Sequence, residues 1–138
     1  MRTSTHRLPG LVLSNHQFLL PLNHERPGGE KIVVFAREVV SVEHMTDLPW
    51  LVFFQGGPGF PSPRPDSKTG WLKRALKESR VLLLDQRGTG LSTPVTFQTL
   101  ARIESPQKQA DYLKNFGVRS TLSFRAVLGA PRALSVRV

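Results

Sequence analysis

Two glycine-rich turns, each closing a short apolar run, constrain this chain more than any other feature. Leu51-Val52-Phe53-Phe54 runs into Gln55-Gly56-Gly57-Pro58-Gly59-Phe60, and Val81-Leu82-Leu83-Leu84 runs into Asp85-Gln86-Arg87-Gly88-Thr89-Gly90-Leu91-Ser92. Apolar runs of four residues bounded by turn signals read as short buried strands. In open α/β sheets, ligands bind just outside the carboxyl ends of such strands. A Gly-Gly-Pro-Gly turn at that edge is able to present bare backbone N–H groups to a developing oxyanion.

The rest of the chain supplies the elements such a sheet needs. Leu8 to Asn15 reads as a lead-in, and Gln17 to Leu20 as a strand ended by Pro21 and the turn-rich Asn23 to Gly29. Lys31 to Val42 is β-branched and aromatic, which predicts a second strand joined to the first by a hairpin-like connection. Glu43 to Leu48 is polar turn, and Trp50 to Phe54, with no polar alternation, is expected to be buried on both faces. A loop containing Pro61, Pro63 and Pro65 follows. Gly70 to Ser79 then reads as a helix capped by Thr69, with Trp71, Leu72, Ala75 and Leu76 on one face. The pattern over Thr93 to Arg102 is ambiguous. Pro106 to Phe116 reads as a helix with Ser105 as N-cap, Pro106 in the first position and Ala110, Leu113 and Phe116 as its buried stripe. Phe124 to Leu128 suggests a further helix and Leu134 to Val138 the start of a strand. The order predicts an α/β sheet with an antiparallel edge.

Composition narrows the function classes. A length of 138 residues suits one domain. With no cysteine, disulfides, thiolate catalysis and cysteine-held metals are excluded, which fits a cytoplasmic protein. No apolar stretch has membrane-spanning length. The apolar piece behind the basic start is too short for a secretory signal and is broken by Pro9 and Gly10. A net charge of +9 invites a nucleic-acid partner, but no aromatic residues interleave with the basic ones to form a base-stacking surface. Nucleic acid and membrane are therefore not expected partners.

Taken singly, the turn residues are ambiguous. Gln55 to Gly59 reads equally as a plain tight turn, and the absence of a following Gly-Lys-Ser/Thr argues against a phosphate loop. Asp85 reads as a turn cap, and Arg87 as a solvated charge or a carboxylate's partner.

Taken together, in this order and at this separation, the two turns resemble the proline iminopeptidase (prolyl aminopeptidase) branch of the α/β-hydrolase serine peptidases. His16 to His24, Ile32 to Val39, Gly70-Trp71-Leu72 and Gln109 to Leu113 add to the likeness, which runs from about residue 8 to residue 116. The resemblance implies the N-terminal part of an α/β-hydrolase fold: an antiparallel edge hairpin followed by parallel strands with helices. It implies that the Gly56–Gly57 backbone, in the loop completed by Pro58 and Gly59, supplies half of an oxyanion hole. The family usually carries histidine where this chain has Gln55, a difference taken as a subfamily mark. The loop bearing Asp85, Gln86, Arg87, Gly88, Gly90 and Ser92 is implied to be scaffolding beneath the oxyanion turn, its glycines permitting positive φ and close packing.

The family's nucleophile is the serine of a Gly-x-Ser-x-Gly elbow, and this chain has no such pentapeptide; Gly90-Leu91-Ser92-Thr93-Pro94 fails at its last position. All four histidines (His6, His16, His24 and His44) precede the first glycine turn, whereas the triad order in this fold is Ser, Asp, His. From residue 117 to residue 138 the family pattern breaks, and the arginine-rich, acid-free composition suits a disturbed or truncated reading frame, or else a divergent loop. The chain is therefore expected to be the N-terminal portion of a serine aminopeptidase that releases N-terminal proline from peptides, carrying half the oxyanion hole, no triad, and no cofactor or metal. A non-catalytic binding remnant and another α/β hydrolase, an esterase or epoxide hydrolase, are the alternatives. Oligomeric state is left open.

Overall fold

A computed structural model describes residues 2–44, 48–55 and 59–116. Five strands among these residues form one sheet: β1 (Arg2–Leu8), β2 (Leu11–Pro21), β3 (Lys31–Ser41), β4 (Trp50–Phe54) and β5 (Arg80–Leu84). Their order is β1-β2-β3-β5-β4. The first three strands form an antiparallel meander, β5 pairs antiparallel to β3, and β4 runs parallel to β5. Three helices accompany them: α1 (Gly70–Ala75), α2 (Phe97–Ala101) and α3 (Pro106–Phe116). The mixed sheet with an antiparallel edge is the α/β arrangement expected.

The sheet buries apolar side chains on both faces, because alternate residues of a strand point to opposite sides. On one face Leu11, Leu13, Val39, Val81 and Leu83 close against Leu72 and Leu76 of the α1 turn. On the other, Ile32, Val34, Ala36, Leu82 and Leu84 close against Phe116 of α3. Four of the five β5 residues are fully buried, which is why its sequence shows no polar alternation.

Five local expectations are corrected. The lead-in is a strand: β1 pairs with β2 across the Pro9-Gly10 turn, Leu8 facing Leu11. Pro9 sets the φ of a turn's second residue and Gly10, at φ +73°, takes the left-handed position that follows. The expected strand Gln17 to Leu20 is part of an eleven-residue strand. β4 is not buried on both faces: among the described residues it lies at the sheet edge with β5 as its strand neighbour, and Phe54 is 43% exposed. In α3 the packed residues are Tyr112 and Phe116, one helical turn apart. Ala110 is exposed and Leu113 is 46% exposed, so of the expected stripe Phe116 alone is buried.

The helix over Gly70 to Ser79 is shorter than expected and Thr69 caps it without a side-chain hydrogen bond. Ser105 does cap α3, its Oγ accepting from Lys108 N at 3.3 Å. The elements expected at Phe124 to Leu128 and Leu134 to Val138 lie outside the described residues.

Candidate active-site scaffold

The carboxyl ends of β4 and β5 lie side by side, Phe54 facing Leu84 in parallel register. Both glycine turns therefore leave the sheet at one edge. Asp85, the first residue beyond β5, is 0% exposed. A carboxylate buried that deeply is tolerable only when its oxygens are satisfied. Its Oδ1 accepts from the Ser62 backbone N–H at 2.8 Å. Its Oδ2 accepts from Arg64 Nη2 at 2.7 Å and from the Leu91 N–H at 2.9 Å. Ser62 adds a second tie, its hydroxyl donating to the Leu84 carbonyl at 2.6 Å. One side chain thus fastens the loop after β4, at Ser62 and Arg64, to the loop after β5, at Leu91.

The second loop is also fastened to β3. Pairing between β3 and β5 covers Ala36 to Val39, and Asp85 N–H extends it to the Phe35 carbonyl at 3.1 Å. Beyond that point the backbone of β3 needs other partners. Ser92 Oγ accepts from the Phe35 N–H at 2.8 Å while donating to the Asp85 carbonyl at 2.7 Å. Thr93 Oγ1 accepts from the Val33 N–H at 2.8 Å and donates to the Val33 carbonyl at 3.2 Å. Two hydroxyls continue the ladder where the strand has ended.

Within the loop, Gly88 N–H donates to the Ser92 carbonyl and Val95 N–H to the Gly88 carbonyl. The Thr89 hydroxyl donates to the Gln86 carbonyl at 2.8 Å. Gly90, at φ +54°, lies so close to Asp85 that a β-carbon would overlap the carboxylate. Arg87 donates to the Leu22 carbonyl at 2.9 Å, tying the loop to the end of β2. Burial lowers its proton affinity from the usual arginine value, though a guanidinium stays charged.

Of the sequence-predicted residues, Asp85, Gln86, Arg87, Gly88, Gly90 and Ser92 form this one connected loop. Gly59, at φ +93°, ends the first turn and is exposed. Gly56, Gly57 and Pro58 lie outside the described residues. Two of the histidines sit on the antiparallel strands: His16 faces Glu38 at 3.4 Å on the β2–β3 surface, and His6 is on β1. Sequence reasoning missed Ser62 and Arg64, which sat in a loop recognised only by its prolines. A serine and an arginine within six residues of a glycine turn, opposite an aspartate that ends the neighbouring strand, was the available signal. Among the described residues, no group of three metal-ligating side chains exists and no helix is long and apolar enough to cross a membrane.

The chain is 50% identical over 111 residues, 79% of its length, to a proline iminopeptidase of Aeromonas sobria. It is 43% identical over 106 residues, 75% of its length, to a proline iminopeptidase of Aspergillus aculeatus. It spans about a quarter of each relative, 26% and 23% respectively. No family model matches the chain. The resemblance carried by its motifs is thus borne out as homology to proline iminopeptidases over three quarters of this sequence.

Proposed function

We propose that this chain supplies the oxyanion-forming turn, and the scaffold that holds it, to a cytoplasmic serine aminopeptidase of the α/β-hydrolase fold that releases N-terminal proline from peptides. The observation that carries the proposal is the buried Asp85 carboxylate, which binds the loop after β4 to the loop after β5 at the edge where such sheets bind ligands.

In the reaction, a serine oxygen attacks the scissile carbonyl, histidine takes its proton and aspartate orients the histidine. Negative charge develops on the carbonyl oxygen. The Gly56 and Gly57 N–H groups are assigned to meet it. Preorganised donors stabilise that charge because they need not reorient during the reaction. Ser62, three residues beyond Gly59, is held by two hydrogen bonds, so the outgoing leg of the turn is fixed to the sheet. Gly90 lets the second loop pass close to Asp85 and Pro61, Gly88 packs against Val95 and Phe116, and Gln86, Arg87 and Ser92 fix the loop to its neighbours. Serine acyl transfer of this kind needs no metal or cofactor. The nucleophile, base and orienting aspartate are assigned to chain outside the matched segment.

A segment exchange tests this. The 138-residue chain alone should release no proline from a Pro-p-nitroanilide substrate. The Aeromonas sobria enzyme in which the 111 matched residues are replaced by those of this chain should release it, and a serine-directed phosphonate should stop it. A correctly folded chimera without activity would overturn the proposal.

A further inference from the structure

Phe35, buried in β3, has two guanidiniums against its ring. The Arg64 Cζ lies 4.9 Å from the ring centroid and the Arg37 Cζ 5.7 Å. Asp85 pairs with Arg64 at 2.7 Å and acts on Arg37 only through its charge. Asp85 already accepts from Ser62, Arg64 and Leu91. Arg37 donates through Nε to Asn15 Oδ1 at 2.7 Å. Its two terminal nitrogens make no hydrogen bond among the described residues, and neither do Arg64 Nε and Nη1. Burial lowers the Arg37 proton affinity, the Arg64 cation lowers it further, and Asp85 partly opposes them. Four donor-bearing nitrogens and one excess positive charge therefore lie around the Phe35 ring.

The geometry points to a binding site for a monoanionic carboxylate between Arg37 and Arg64. A planar carboxylate matches the fork of a guanidinium through two parallel N–H donors. Two cations and one aspartate leave a single positive charge, which one carboxylate neutralises. A phosphate dianion would overshoot and bring a second negative charge close to Asp85, which like-charge repulsion disfavours. The carboxylate comes either from a small free acid or from the C-terminus of a short peptide. The site shares Arg64 and Asp85 with the scaffold above, and its test reads binding rather than peptidase turnover, so the two proposals fail separately.

Arginine side-chain Nε–H signals of the 138-residue chain, followed by NMR, test it. Acetate, the peptide Gly-Ala-Ala, its C-terminal amide and inorganic phosphate are titrated separately at constant ionic strength. Acetate and the free-acid peptide should shift the Arg37 and Arg64 signals, with phosphate and the amide at least about tenfold weaker. Tighter binding of the peptide than of acetate identifies a peptide terminus as the ligand, and equal binding a small acid. Arg37→Gln should lose about tenfold in affinity for both acids. Arg74→Gln, on an exposed α1 ion pair with Glu78, should lose none. Arg64 also holds Asp85, so Arg37→Gln carries the test if Arg64→Gln fails to fold. Binding unchanged in Arg37→Gln, an amide equal to the acid, or no shift with either acid overturns the site.

Discussion

A β-carbon on Gly90 would lie 2.6 Å from the carboxyl carbon of Asp85 and 2.8 Å from the Pro61 side chain. The second glycine turn and the carboxylate it encloses are therefore fitted to each other.

Gly90→Ala should cost about 2–4 kcal/mol of stability, because it adds steric overlap to a left-handed backbone position. Gly88→Ala, whose added carbon meets a Val95 methyl at 3.3 Å, should cost less, about 1–2 kcal/mol, mostly from its positive φ. Urea denaturation of the two variants checks the ranking. Equal costs, or a Gly90→Ala within 0.5 kcal/mol of the parent on the usual surface-substitution scale of roughly that size, would remove the steric account.

Ser92→Ala should cost about 1–3 kcal/mol, since the buried Phe35 N–H loses its acceptor and the Asp85 carbonyl loses a donor. Hydrogen exchange at the Phe35 amide should accelerate more than at Val39, which lies within the paired strands. Uniform acceleration along β3 would mean that the hydroxyl does not act locally.

Glu43 provides the pH test. Its hydrogen bond and charge attraction to Lys68 Nζ, at 3.1 Å, lower its pKa below the ordinary 4.5. A folded value below the unfolded one adds stability above the unfolded midpoint, and that stability is lost as pH falls through the folded midpoint. The carboxylate should titrate below 4.5 by NMR and rise toward it in Lys68→Met. A midpoint unmoved by Lys68→Met would contradict the pairing.

What was legible in the sequence follows physical lines. β3 and β5 announce themselves because β-branched and leucine runs buried on two faces leave no polar alternation. β4 shares that pattern but lies at an edge, since sequence tells which residues are apolar and not which neighbours cover them. β1 was invisible: Thr3, Ser4, Thr5 and His6 are exposed and polar, and the strand exists because β2 offers it a partner. Pro9-Gly10 reads in sequence as a break in an apolar stretch, whereas in the fold it is the turn of the β1–β2 hairpin. At the site, Asp85 and its loop were legible as a motif. Ser62, Arg64 and Arg37 were not, because their roles arise from the pairing of β3, β4 and β5, which brings together residues 20 to 50 positions apart in the chain.

The central claim is that the first glycine turn holds the oxyanion, and kcat of the chimeric enzyme with Gly57→Val tests it most directly. Loss of one oxyanion donor costs about 10²–10³ in kcat, roughly 3–4 kcal/mol. The loss should fall on kcat rather than KM, because the interaction is strongest in the transition state. His24→Ala, in the connection between β2 and β3, should leave turnover nearly unchanged. A Gly57→Val chimera that folds and turns over normally, beside a His24→Ala chimera that does not, would place the active site elsewhere.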